Sequence, residues 1–385
     1  MSNASTKSGT SHFHGDVWNY LRNPAANAVG AFPLSPGSVP GPNQNQFGGV
    51  FGGPLPLHAI TRVGKTFFFV DYEGLRRLQH APLTATIPTA AQLQALLSGN
   101  MPFYDSAGKV IPIVDPYTTT YTASTPLPGG IIPSADLNPL AKIVLGNLVG
   151  VANQPGTAVA ATNFTSNPVA TEDSDKGDGR FDWAINDKST FFARYSSRAE
   201  NVVDPSPIPG PDFGKSNGNT YNANQQVAAG YTRLLTPSSA LDARVGFTWS
   251  EANRKPFDLG IDNILSDAGI PNAPTDSTVS GGLSTQSITG FTQLGRSAST
   301  PTTVNPFLID PKVSYSWLHK KHSLKFGYEY QHVSTVISNT HPQFGTDTYK
   351  GLFTEGKNKA ATLYSGAADP AYKQAWALAD FAFGA

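Results

Sequence analysis

The chain has no cysteine, and only 14% of its 385 residues are charged, with a formal sum of zero. Without thiols there is no disulfide framework, thiolate metal site or cysteine nucleophile. A neutral, charge-poor chain offers no electrostatic footprint for nucleic acid, so that partner is not expected. Long apolar runs are missing too. No window approaches the roughly 18 to 20 consecutive apolar residues of a membrane-crossing helix, and Met1-Ser2-Asn3-Ala4-Ser5-Thr6-Lys7 carries no apolar signal core. None of this excludes a β-barrel, which crosses a membrane with segments of about ten alternating residues.

What the chain has in quantity is alternation. Leu324-Lys325-Phe326-Gly327-Tyr328-Glu329-Tyr330-Gln331 places apolar and polar residues in turn. Successive side chains of a strand point to opposite faces, so this rhythm marks a half-buried strand. The same reading predicts strands over 11–22, 46–55, 65–78, 176–185, 190–199, 225–235, 241–254, 306–319 and 323–337. A weaker one over 375–383 brings the total to about ten. The predicted class is therefore all-β and antiparallel.

Three connections are short and turn-like, at Asn186-Asp187-Lys188, Thr236-Pro237-Ser238-Ser239 and Lys320-Lys321-His322. Others are long, chiefly 79–175 and 256–305, and the first carries Ala- and Leu-rich stretches at 89–98 and 136–151 that suit short helices. The many Pro and Gly residues of that loop speak against a second independent domain. Compact soluble domains seldom carry such loops, whereas outer-membrane barrels combine short periplasmic turns with long outer loops. A soluble β-sandwich shows the same alternation and stays open as an alternative.

In a barrel, the odd positions Leu241, Ala243, Val245, Phe247 and Trp249 would face lipid and Arg244 the lumen. Burying a large apolar side chain is worth about 1.5 to 3 kcal/mol and Arg at the bilayer midplane costs roughly 2 to 4, so the register is strongly determined. Likewise Phe181, Trp183 and Ile185 would point outward with Arg180 and Asp182 inward, and Arg194 and Arg198 would lie opposite Phe191, Ala193 and Tyr195. Trp249, Trp317, Tyr231 and Tyr330 suit interfacial girdles.

Candidate chemistry is sparse. His12 and His14 share a strand face but lack a third ligand, so no metal site is expected. Asp71 and Glu73 also share a face, and ion pairing with the nearby Arg76 and Arg77 explains them more simply than acid/base catalysis. The segment Asp173-Ser174-Asp175-Lys176-Gly177-Asp178-Gly179 departs from a calcium loop at its fifth, sixth and twelfth positions. Gly48-Gly49 and Gly52-Gly53 lack a phosphate-loop context and read as close backbone packing. No enzyme activity and no cofactor are expected.

An ordered set of motifs carries a resemblance. Lys7-Ser8-Gly9-Thr10 precedes Phe13-His14-Gly15, then come Asn45-Gln46-Phe47-Gly48-Gly49, Gly52-Gly53-Pro54 and Lys65-Thr66-Phe67-Phe68-Phe69-Val70-Asp71-Tyr72-Glu73-Gly74. Ile87-Pro88-Thr89-Ala90, Asp115-Pro116, Ile131-Ile132-Pro133, Arg180-Phe181-Asp182, Ile185-Asn186-Asp187-Lys188 and Ala379-Asp380-Phe381 follow in order. The chain resembles the Oar-like TonB-dependent outer-membrane receptors over nearly its whole length.

The resemblance implies a barrel of about 22 strands filled by an amino-terminal plug. On that reading residues 1–10 close the plug and lead into the barrel, and 11–385 are its first part, so the chain is a fragment lacking plug, energy-coupling box, export signal and later strands. It implies outer-membrane localisation, contact with outer-membrane lipid, coupling to the TonB complex through the missing plug, and import of an extracellular solute. Tyr104, Tyr117, Tyr121, Phe257 and Phe291 are the loop aromatics placed to touch that solute. Two other functions stay open: an adhesion or scaffold barrel without transport, and a soluble carbohydrate-binding sandwich.

Overall fold

The computed structural model describes residues 7–27, 41–56, 65–80, 82–118, 126–149, 162–208, 218–339, 341–355 and 369–385. One antiparallel sheet dominates it. Its strands are β1 (His14–Arg22), β2 (Asn43–Pro54), β3 (Lys65–His80), then, after a short β4 (Leu83–Ala85) and β5 (Phe164–Ser166), β6 (Val169–Asn186), β7 (Ser189–Asp204), β8 (Gly218–Thr236) and β9 (Ser239–Lys255). After β10 (Thr285–Ile288) it continues with β11 (Thr302–His319), β12 (His322–Glu329) and β13 (His332–Ser338). The order is β1-β2-β3-β6-β7-β8-β9-β11-β12, with β13 also on β11. Each strand lies beside its predecessor in the sheet, a meander whose edges are β1 and β12/β13.

The nine stronger strand predictions all overlap these elements; β1 begins only at His14, later than predicted, while most of the other strands run further. β3 extends to His80 and β6 begins at Val169, so the segment from Asp173 to Gly179, which departs from a calcium loop in sequence, is strand from end to end. The strand predicted over 323–337 is divided into β12 and β13, yet Lys312 pairs with Glu329 and Ile309 with His332 in one unbroken register. Pro311 lies between. It accepts from Tyr330 N–H at 3.0 Å but has no N–H to return, so the ladder skips there.

The short connections are hairpin turns. Asn186 Oδ1 accepts from Lys188 N–H (2.9 Å) and Thr236 Oγ1 from Ser238 N–H (3.3 Å), closing two of them. Lys320 supplies the left-handed residue of the third, at φ 56°.

The long loops are built, not loose. They contribute helices α1 (Ala90–Ser98), α2 (Pro139–Asn147), α3 (Ile264–Asp267) and α4 (Pro370–Phe383), together with β14 (Thr346–Tyr349), which pairs in parallel with β10. A single apolar core unites them, with Leu96, Ile113, Val144, Leu145, Leu283 and Leu378 fully buried. The first long loop, whose Pro and Gly residues spoke against a second independent domain, shares its core with Ile208 and with residues of 265–294 and 344–383.

Residues 375–383 are not a strand. They form most of α4: Asp369 caps its N-terminus by accepting from Ala371 N–H at 2.9 Å, Pro370 occupies the first turn, and Gly384 closes it at φ 75°. Trp376, Leu378, Phe381 and Phe383 are buried all round it, because the loops enclose the helix. An element apolar on every side carries no face-specific periodicity, and propensity with the two caps then decides for helix.

Candidate functional site

Register sorts the sheet's side chains into two chemically distinct faces. One row reads Trp183, Phe191, Tyr231, Ala243, Val313 and Tyr328 across six strands. Parallel rows add Phe181, Ala193, Ala229 and Val245, then Tyr195, Val227, Phe247 and Ile309. On the first strands Phe13, Phe51 and Phe68 join this face, with ring centroids 5.4 to 6.4 Å apart. No second sheet covers it among the described residues. Val17, Tyr328 and Phe326 are 90%, 68% and 59% exposed.

The apolar face has a defined height. On β11 it runs from Trp317 to Phe307, about ten rises of ~3.4 Å, or roughly 26 Å when the strand tilts by ~40°. That matches the ~25 Å apolar band of outer-membrane barrels. Trp317 and Trp249 stand at opposite ends of the band, whereas Tyr231 shares the row of Val313, two rows inside Trp317. Tyr330 pairs opposite Pro311, in mid-band, so it is not a girdle residue. Above the band the same face turns polar: Arg76 binds Asp175 through two hydrogen bonds of 2.9 and 3.0 Å, and Tyr72 donates to the same carboxylate.

The other face is ionic. Arg180 pairs with Asp182 (2.8 Å), Arg244 with Asp242 (2.8 Å), Arg198 with Glu200 (2.6 Å) and Lys312 with Asp310 (3.4 Å). Each pair is spaced by two residues, which keeps both side chains on one face. Asp71 and Glu73 lie here as well. Glu73 pairs across the strand with Lys176 at 2.6 Å, while Arg76 and Arg77 are taken by Asp175 and Glu172, so ion pairing holds for Glu73, with a different partner from those expected. Arg180 lies 5.0 Å from the centre of the Phe192 ring. Two adjoining cavities of about 520 and 410 Å³ open on this face and share Arg244 and Lys312.

A third cavity, about 650 Å³, lies where the strand tips meet the loops. Asn219, Lys255, Phe257, Thr278, Thr303 and Gln343 are among its lining residues. Backbone bonds from Gly260 to Ser280 and from Ile264 to Gly282 fold this loop back on itself. Arg296 pins it: fully buried, it donates to Gly281 O at 3.4 Å and to Val279 O, and lies 4.1 Å from the centre of the Phe344 ring. Asp276, which precedes the lining residue Ser277 in the chain, is held below the usual carboxylate range by the backbone N–H and hydroxyl of Thr278.

The loop aromatics are not brought together. Phe257 lines the third cavity. Tyr117 donates to Phe383 O at 2.7 Å and packs edge-on against its ring, anchoring the end of α4. Phe291 packs against the loop core, and Tyr104 sits half-exposed in a bridge with Val110. Tyr121 lies outside the described residues. Nothing in the sequence pointed to Arg296 or to Thr278 and Gln343; their roles depend on how the loops fold back. His14 Nδ1 lies 3.1 Å from His12 O, and among the described residues no three His, Asp or Glu side chains converge.

The comparison with family models decides the identity, because the model described as "Outer membrane beta barrel domain" matches residues 5–385. The chain belongs to this family. As an outer-membrane barrel domain it resides in the outer membrane, with its apolar face in lipid, and the soluble sandwich is set aside. No curated protein matches it. Among solved structures it is similar to the outer membrane transporter YddB from Escherichia coli, at 10% identity and TM-score 0.35 over 76% of this chain. The match spans 26% of the YddB chain.

Proposed function

We propose that this domain is wall and outer lid of a TonB-dependent transporter that captures a scarce solute outside the cell and passes it into the periplasm. The observation that carries the reading is the pairing of a lipid-facing wall with an ordered loop cap that borders an open cavity at the strand tips. A barrel serving only as wall has no use for a shared loop core of this size. The ion-paired inner face supports the same reading, since a polar lumen suits a solute path. The motifs from Lys7 to Phe381 support the TonB-dependent class specifically.

The test uses cells carrying the protein. Spent medium from wild-type, deletion and protonophore-treated cells would be compared by mass spectrometry. The transporter reading expects at least one solute to be left behind in both the deletion and the de-energised culture. If none differs, the adhesion or scaffold alternative takes its place.

A further inference from the structure

The two rims of the sheet differ in charge although the chain as a whole is neutral. At the rim made by the short turns, Lys188, Lys320 and Lys321 occupy the turns and Arg233 points from the apolar face, all exposed; Asp187 is the acid among them. At the opposite rim the same face carries Asp173, Asp175 and Glu251 beside Arg76 and Lys255. The basic rim also adjoins the aromatic end of the lipid-facing band. Trp317 and His319 lie with ring centroids 4.8 Å apart, and Tyr231 and Trp183 stand two rows further in than Trp317. Rings at this level anchor a barrel at the interface, so cations placed just beyond them lie at headgroup depth.

Short turns face the periplasm in outer-membrane barrels, which puts this rim at the inner leaflet. We propose that Lys188, Arg233, Lys320 and Lys321 form a site for the phosphate-bearing headgroups of that leaflet, with a preference for anionic phospholipid. Basic residues beside a membrane surface are drawn to anionic lipid, and the attraction fades within a Debye length. Continuity with the apolar band favours lipid over an acidic protein partner. The site is independent of whether the barrel transports anything.

The test is flotation of the full chain, refolded in detergent, with vesicles of phosphatidylcholine alone or with added phosphatidylglycerol. The wild type is expected to favour the anionic vesicles by roughly tenfold at low salt, and to lose that preference at about 1 M salt. The variant Lys188→Gln/Arg233→Gln/Lys320→Gln/Lys321→Gln should show no preference. A control neutralising Lys109, Lys142, Lys350 and Lys373 in the cap should keep it. If the fourfold variant fails to form β-structure by circular dichroism, Lys320→Gln/Lys321→Gln, confined to a turn, reads the same loss in part. Equal binding to both vesicles, or an equal loss in the cap control, overturns the proposal. So does release by inorganic phosphate at matched ionic strength, which would make the site one for a free anion.

Discussion

The carboxylate of Asp380 on α4 accepts both the backbone N–H and the hydroxyl of Thr354, at 3.0 and 2.8 Å, and both residues are fully buried. Thr354 Oγ1 also lies 2.8 Å from Trp376 O, so its one proton is shared between the two acceptors and the contact ties the helix to the 351–355 turn. Burial drives the Asp380 pKa above the ordinary carboxylate value, and the Thr354 hydrogen bonds offset only part of the rise. Asp380→Ala would leave the Thr354 N–H without an acceptor, at a cost of roughly 1 to 3 kcal/mol. Hydrogen exchange of the α4 amides should accelerate accordingly.

The same carboxylate makes cap stability depend on pH. A group whose folded pKa is raised binds more protons folded than unfolded, so stability falls as pH rises through the interval between the two values. The penalty is absent below the ordinary carboxylate pKa of about 3.9 and complete once pH exceeds the folded value. The α4 amides should therefore be better protected at pH near 4 than at pH 7, after correction for intrinsic exchange. Asp380→Asn should flatten that slope, and an unchanged slope would remove Asp380 as its source.

Side-chain parity on β9 makes a sharper prediction. Val245 faces lipid in mid-band and Thr248 the ionic face. Val245→Arg should cost about 2 to 4 kcal/mol, whereas Thr248→Arg should be tolerated. Heat-modifiable mobility on gels after refolding into vesicles would separate them. Comparable loss in both variants would contradict the assignment of faces.

Strands and faces were legible because alternation is local: Leu241 to Trp249 states its own register. Helix α4 was not, since Ala375 to Phe383 is apolar but for Asp380 and is buried throughout; only its flanking Asp369-Pro370 and Gly384 marked a helix. The cap core lay further out of reach. Leu96, Leu283 and Leu378 belong to three segments separated by strands, and no local pattern says that they meet. Phe257 and Phe291 look alike as loop aromatics, yet one lines a cavity and the other packs a core.

That difference is itself testable. Phe257→Ala should weaken solute binding by the protein while leaving the cap's exchange protection intact. Phe291→Ala should cost the cap roughly 2 kcal/mol, less than a fully buried Phe because the ring is only partly enclosed. Binding and exchange measured on the same two variants would show whether the roles separate; identical profiles would mean that both rings serve packing.

Phe192 is an aromatic ring on the ionic face, and Gly230 opposite it explains how it fits. A Cβ at Gly230 would strike the Phe192 ring, which fills the space a side chain would take. In this position the ring lies beneath Arg180, whose guanidinium also binds Asp182. Gly230→Ala should force the ring aside and cost about 1 to 3 kcal/mol through overpacking. In a Phe192→Ala background the obstruction is gone, so the same substitution should cost little. A double-mutant cycle on thermal unfolding in detergent would then give a coupling of at least about 1 kcal/mol. Additive effects would mean that the glycine is required for backbone reasons, and that the ring beneath Arg180 merely occupies space left over.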